Sequence, residues 1–189
     1  MKRVLLIILL HLSLFFIVFA YQAQAEELEE EWSIERFENL IFARVYGEVI
    51  HGDSLNFFIR ASDNCEKVWH NFTFYTYEQP GDIKQLLHKH IPIKINNEEV
   101  TAYVDHIMPF LQGYRVLFSL GSFPIKEYIY KLNNFYIEEK KFEIQIIDGL
   151  DFKTSKYFDI SINSWKLDKL VPYVLEAHRK CKEISNLNS

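Results

Sequence analysis

The chain has only two cysteines, Cys65 and Cys181, and their thiols carry the clearest chemistry in the sequence. In an exported protein the compartment is oxidising, so two cysteines most simply form one disulfide. Two free buried thiols or a bridge between two chains are the alternatives. A catalytic thiol is not expected, because the sequence has no Cys-x-x-Cys pair. We therefore predict a disulfide between Cys65 and Cys181 within one chain.

The best candidate for a metal site is the pair His88 and His90, for which His51, His70 or His106 could supply a third ligand. A His-x-His pair on a strand points both imidazoles to one face, which suits zinc. Here the pair falls where a short helix is expected to give way to a strand, so a shared direction is not assured. We interpret both residues as solvated histidines and predict no bound metal.

A hydrolytic site would have to combine Ser119 or Ser122 with His106 and Asp105. Asp105 and His106 are adjacent in a predicted strand and should point to opposite faces, which excludes them as an acid–base couple. The sequence also has no Gly-x-Ser-x-Gly elbow, no glycine-rich phosphate loop and no His-Glu-x-x-His helix. We therefore assign no catalytic residue and no cofactor.

An aromatic surface is predicted on one face of the segment Val68–Tyr77, whose residues alternate more clearly than any others in the chain. One face is expected in the core, and the other carries Trp69, Tyr75 and Tyr77. Tyrosine and tryptophan are enriched at binding sites because they combine a large contact area with a polar tip. These three residues are our candidates for binding. The alternative is that another element of the same domain covers this face.

Residues 1–25 are typical of a signal peptide. Lys2 and Arg3 give a short basic start, Val4–Ala20 is almost wholly apolar, and Ala23-Gln24-Ala25 is a small-x-small cleavage pattern. We expect cleavage after Ala25 and a periplasmic or secreted protein. An uncleaved membrane anchor is the alternative.

Cleavage would remove two basic residues and no acidic residue, leaving 19 basic and 26 acidic residues and a net charge of −7. This balance excludes a nucleic-acid partner, since phosphate binding needs a basic surface. No second long apolar run follows, so stable membrane insertion is not expected after cleavage.

The richness in Ile, Lys, Asn, Phe and Tyr indicates an AT-rich genome, such as that of a host-associated bacterium. The expected partner is a protein or an envelope component.

We predict an acidic leader arm over residues 26–40, followed by one β-rich domain over residues 41–189. The strands expected by alternation and turn composition are 41–50, 55–61, 68–77, 91–95, 100–107, 114–120, 141–147 and 152–162. Pro92 suggests that the fourth of these lies at a sheet edge. Asp148-Gly149-Leu150-Asp151 predicts a hairpin between the last two.

Two or three helices are expected among these strands. A short one follows Asp82, a second opens at Pro124 and ends at Asn133-Asn134, and the last begins near Asp168 with Pro172 in its first turn. The last helix carries Cys181 and should pack on the sheet. The pattern predicts an α+β domain with a mainly antiparallel, sandwich-like sheet of about 7–8 short strands.

The sequence therefore favours an exported binding or interaction protein that works without a cofactor. An envelope-directed hydrolase with an unrecognised site, or an accessory protein held by an uncleaved leader, are the alternatives.

Overall fold

The computed structural model describes residues 32–50, 52–77 and 80–187, in which one curled antiparallel sheet carries two α-helices. The strands are β1 (Trp32–Phe37), β2 (Leu40–Tyr46), β3 (Ser54–Arg60), β4 (Lys67–Thr76), β5 (His90–Ile95), β6 (Glu98–Phe110), β7 (Gly113–Pro124), β8 (Glu143–Ile146) and β9 (Ile162–Ser164). Helix α1 spans Ile125–Glu139 and helix α2 spans Leu170–Leu187. The strand order is β1-β2-β3-β4-β7-β6-β5-β8-β9. The predicted signal peptide lies outside the described residues.

The predicted class, an α+β domain on antiparallel sheet, is confirmed, but the sandwich is wrong and the described residues hold nine strands rather than 7–8. The sheet curls so that the end of β2 comes close to β9. The backbone N–H of Glu48, after β2, donates to the carbonyl of Ser164 in β9 at 2.9 Å. Because one curled sheet and its helices can enclose a core by themselves, no second sheet is needed.

Asn163 makes several of the side-chain contacts between the β2–β3 connection and β9. Its Oδ1 accepts from the backbone N–H of Val49, and its Nδ2 donates to the carboxylate of Asp53, each at 2.9 Å. Gly47 makes room for this side chain, since a Cβ there would lie 2.3 Å from Nδ2 of Asn163. A single buried amide thus ties the β2–β3 connection to β9.

The predicted leader arm is wrong over its second half, because residues 32–37 form the edge strand β1. Trp32 is fully buried, its ring stacks against Phe57, and its indole N–H donates to the carbonyl of Lys166 at 3.0 Å. Burial of one indole supplies enough apolar contact to bring the segment into the sheet. Residues 26–31 of the predicted arm lie outside the described residues.

The C-terminal helix α2 begins at Leu170 with Pro172 in its first turn, as predicted. Its buried face consists of Leu170, Val174, Ala177 and Cys181. Cys181 is bonded to Cys65 with a Cα–Cα distance of 5.9 Å, which confirms the predicted disulfide. The helix is therefore held both by apolar packing and by a covalent link.

Strand β5 is not at an edge, because it pairs with both β6 and β8. Pro92 is tolerated there because its carbonyl accepts from the N–H of Ile147, where β8 has already ended. In an antiparallel strand, the N–H and the C=O of one residue point to the same side. Pro92 has no N–H, so it lacks a donor only on the side where β8 has already ended. Gly149 packs against the proline ring at this point.

The predicted tight hairpin between the last two strands is wrong, although β8 and β9 do pair. Residues 147–161 connect them, and Asp148 accepts from the N–H of Thr154 at 2.9 Å to form a local loop. Phe152, Tyr157 and Phe158 are buried in the core. The apolar residues that suggested a long strand therefore belong to a connection, and their side chains pack into the core.

Helix α1 runs past its predicted end at Asn133-Asn134 and continues to Glu139. Phe135 and Tyr136 pack against the core beyond the two asparagines. Such tertiary packing overrides the weak helix propensity of asparagine. The helix ends where Lys140 adopts a left-handed conformation with φ 57°.

Candidate functional site

The three predicted binding aromatics do not form one exposed surface. Tyr75 is only 4% exposed, whereas Tyr77 is 62% exposed and packs edge-on against it with ring centroids 4.6 Å apart. Trp69 lies six residues away along β4, at a distance of roughly 20 Å. There its indole N–H donates to Asp63 at 2.8 Å and its ring is covered by the guanidinium of Arg60. Their role in binding stays a prediction.

The histidine pair at the start of β5, His88 and His90, contacts the same residue, Tyr103. His88 Nδ1 lies 2.8 Å from the hydroxyl of Tyr103, and the ring of His90 lies 5.4 Å from the ring of the same residue. His51 is outside the described residues. Across residues 32–50, 52–77 and 80–187, no three His, Cys, Asp or Glu side chains converge in a way that could hold a metal ion.

Asp105 and His106 do not point to opposite faces, so the predicted orientation of this pair is wrong. Asp105 is the extra residue of a bulge between β6 and β7, so the strict alternation of the strand is broken. His106 Nδ1 lies 3.6 Å from Asp105 Oδ2 on the protein surface. In the described part of the chain no hydrogen bond joins His106 to either predicted serine. Ser119 Oγ accepts from the backbone N–H of Gly121, and Ser122 is paired with Trp69 in the β4–β7 register.

A cavity of about 350 Å³ lies between α1 and the sheet. This volume is at the lower end of the range for small-molecule sites. Its floor is made of the buried residues His70, Leu132 and Phe142, and its walls include Ile95, Phe123, Tyr128 and Phe135. Glu98, Val100, Pro124, Glu127 and Lys131 surround its mouth and are exposed. The cavity is thus apolar and aromatic inside and polar only at its rim.

Helix α1, together with Pro124 just before it, contributes to the cavity through two neighbouring rows of residues four apart. One row is Pro124, Tyr128 and Leu132, and the other is Glu127, Lys131 and Phe135. Residues four apart lie one above the other on a helix, so these rows form a continuous strip along α1. Glu127 and Lys131 of the second row are exposed, whereas Leu132 of the first row is buried, so the strip contributes both to the polar rim and to the apolar interior.

A pair of hydrogen-bonded polar side chains joins the floor of the cavity to its wall. His70 Nδ1 lies 2.5 Å from the hydroxyl of Tyr128, and Phe57 stacks on the imidazole with ring centroids 4.6 Å apart. Burial lowers the pKa of His70 to about 3 and raises the pKa of Tyr128 above its usual value. Both side chains are therefore neutral at physiological pH.

A bulge in β7 makes space beside His70. Leu120 is the extra residue, and Gly121 is the partner of His70 in β4. Gly121 has φ +115°, a conformation that other residues rarely adopt. Because Gly121 has no side chain, the strand next to His70 leaves room for Phe123 and Tyr128, whose rings stack with centroids 4.1 Å apart.

The sequence indicated some of these residues but not the site. His70 was considered as a possible metal ligand, and Tyr128 was not among the candidate site residues. They are 58 residues apart and meet only because α1 follows the strand that pairs with β4. The signal that could have pointed to the site is a histidine on the core face of the most regular strand, where a polar residue needs a partner.

Comparisons with known proteins identify no relative. No family model matches the chain, and no curated protein and no solved structure is similar to it. Within the described part of the chain, neither helix has the length and hydrophobicity needed to cross a membrane.

Proposed function

We propose that this chain is an exported, non-catalytic binding protein that takes its ligand into the cavity between α1 and the sheet. The observation that supports the proposal is the cavity itself, which is lined by four aromatic rings and has the buried imidazole of His70 at its floor. Apolar cavities with a few placed polar groups are the usual form of small-molecule sites. The ligand would be a component of the envelope or of the surrounding medium.

Binding fits this cavity better than hydrolysis. Its histidine has too low a pKa to act as a base at neutral pH, and its tyrosine too high a pKa to ionise there. Among the described residues, the lining contains no serine, cysteine or threonine that could act as a nucleophile. The two glutamates and the lysine of the lining are exposed at the mouth, away from the floor.

The proposal is tested with the neutral fluorescent probe N-phenyl-1-naphthylamine and the mature protein. The probe should fluoresce strongly on binding, and Val100→Trp should abolish the signal by filling the mouth of the cavity. Val100 is exposed, so the larger ring can be placed without disturbing the core.

Val49→Trp is the matched control, because Val49 is also an exposed valine and does not line the cavity. It should leave probe binding unchanged. If the Val100 variant binds as well as the native protein, or if Tyr77→Ala abolishes binding, the ligand site is elsewhere and the predicted aromatic surface becomes the better candidate.

A further inference from the structure

The nitrogen atoms of His70 restrict the chemistry of a ligand in this cavity. A neutral imidazole has one donor and one acceptor nitrogen. If the Tyr128 hydroxyl donates to Nδ1, the imidazole proton is on Nε2. In the opposite arrangement Nδ1 donates to the tyrosine hydroxyl. The tyrosine proton and Nε2 are then both left without a hydrogen-bond partner. The first arrangement leaves fewer unmet groups and is preferred, because each unmet buried group is costly.

Nε2 of His70 is buried and has no hydrogen-bond partner within the described part of the chain. Because His70 is one of the residues that line the cavity, its unpaired N–H is a candidate donor for a molecule that enters it. A buried donor without a partner is uncommon in native proteins and calls for a specific explanation. A ligand with an acceptor oxygen would satisfy it.

The surroundings of this donor exclude a charged group beside it. The rings of Phe57, Tyr128 and Phe142 lie around the imidazole with centroid distances of 4.6 to 6.1 Å. An anion here would be desolvated without a cation to balance it, since Lys131 lies at the exposed mouth. A cation would face a donor rather than an acceptor.

We propose that the cavity binds a neutral, mainly aromatic or aliphatic molecule whose single carbonyl or hydroxyl oxygen accepts a hydrogen bond from His70 Nε2. This inference rests on the proposed function and adds the chemical class of the ligand. The rings that line the cavity offer stacking and edge contacts to the apolar part of such a molecule.

Three probes of similar shape test the inference on the mature protein by calorimetry. Benzophenone has a neutral acceptor oxygen, diphenylmethane lacks it, and 4-benzoylbenzoate adds a negative charge. Benzophenone should bind roughly five- to tenfold more tightly than diphenylmethane, which is the effect of one additional hydrogen bond. 4-Benzoylbenzoate should bind more weakly than benzophenone. In a nitrogen-15 NMR spectrum, the Nε2 resonance of His70 should shift with benzophenone but much less with diphenylmethane.

The variant His70→Phe should remove the preference and leave diphenylmethane binding within about twofold. If that variant does not fold, His70→Phe combined with Tyr128→Phe is used, since it also removes the hydroxyl that would be left unpaired. If the variant that folds still binds benzophenone more tightly than diphenylmethane, another residue makes the hydrogen bond to the ligand oxygen.

The outcomes separate the inference from the proposed function. Equal binding of benzophenone and diphenylmethane overturns the inference and leaves the binding cavity in place. Tighter binding of 4-benzoylbenzoate overturns the neutral ligand. Failure of all three probes and of the fluorescent probe overturns the proposed function itself.

Discussion

Asp53 is a fully buried carboxyl group at the point where the sheet closes. Its two oxygens accept from the backbone N–H of Tyr75 at 2.6 Å and from Asn163 at 2.9 Å. Burial nevertheless raises its pKa from 3.8 to about 7, and its hydrogen bonds and the nearby Arg115 only partly oppose that shift. The closure therefore contains a group that titrates near neutral pH.

The raised pKa of Asp53 predicts that the domain loses stability as the pH rises towards 7. A carboxyl group that binds its proton more tightly when folded contributes its full stabilisation below the unfolded pKa of 3.8 and loses it through the folded pKa of about 7. Between pH 5 and pH 8, the native protein should lose about 2 to 3 kcal/mol of unfolding free energy relative to Asp53→Asn. Urea unfolding of both proteins at the two pH values measures this difference.

Asp151→Asn is the control for the pH experiment, because Asp151 is exposed in the β8–β9 connection. Its unfolding free energy should follow that of the native protein with pH. Parallel pH curves for the native protein and Asp53→Asn would show that Asp53 stays ionised throughout the range.

At the scale of the element, the bulge in β7 depends on one glycine. Gly121→Ala should lower the unfolding free energy by about 1 to 3 kcal/mol, because a side chain is strained at φ +115°. The added Cβ would lie 3.4 Å from Phe123, which is an ordinary contact, so the loss of stability is expected from the backbone conformation alone. Thermal and urea unfolding provide the measurement.

Gly81→Ala is a matched substitution for this prediction, since a Cβ there meets no atom within 4 Å and its φ is not positive. It should change stability by less than about 0.5 kcal/mol. If Gly81→Ala and Gly121→Ala are equally stable, the conformation at the bulge does not require glycine.

A second prediction for a single element concerns the disulfide that holds helix α2. The disulfide closes a loop with a sequence separation of 116 residues, for which chain entropy gives an upper value of about 4 to 5 kcal/mol. Cys181→Ser should lower the unfolding free energy by about 2 to 5 kcal/mol. The helix should stay docked, because Leu170, Val174 and Ala177 are fully buried.

Reductant should therefore destabilise the native protein in urea and leave Cys65→Ser/Cys181→Ser unaffected. Hydrogen exchange should increase mainly in the turns around Cys181, where Lys182 donates to the carbonyl of Asn64 at 2.7 Å. Unchanged unfolding of the native protein under reducing conditions would mean that packing alone holds the helix.

The elements differ in how well sequence predicted them, for identifiable reasons. The alternation of Val68–Tyr77 produced the strand β4 almost residue for residue, because its core face is continuous. Strand β1 was missed because its place in the sheet depends on Trp32 meeting Phe57 and Lys166, which lie far away in the sequence. Pro92 was assigned to an edge because no local pattern shows where a neighbouring strand ends.

On the scale of the whole molecule, closure joins segments from both ends of the described chain. Trp32 reaches the carbonyl of Lys166, and the β2–β3 connection reaches Asn163. These contacts span more than a hundred residues, so no sequence window contains them. The cavity has the same origin, since its floor and walls come from β4, β5, β6, β7, α1 and the segment before β8. Sequence periodicity predicted most of the elements, whereas the curl and the cavity depend on how those elements pair.

The last prediction concerns the start of the exported chain, which we expect at Glu26. Cleavage after Ala25 would leave six residues before Trp32, the first residue of β1 and a fully buried one. Cleavage there would leave β1 intact. The Cys65–Cys181 disulfide fits an oxidising compartment. Intact-mass measurement of protein from the periplasm or the medium should give the mass of residues 26–189 with one disulfide. A membrane-bound species that retains Met1 would instead indicate an uncleaved anchor, and replacing Ala25 by a bulky residue should then have no effect on its mass beyond the substitution itself.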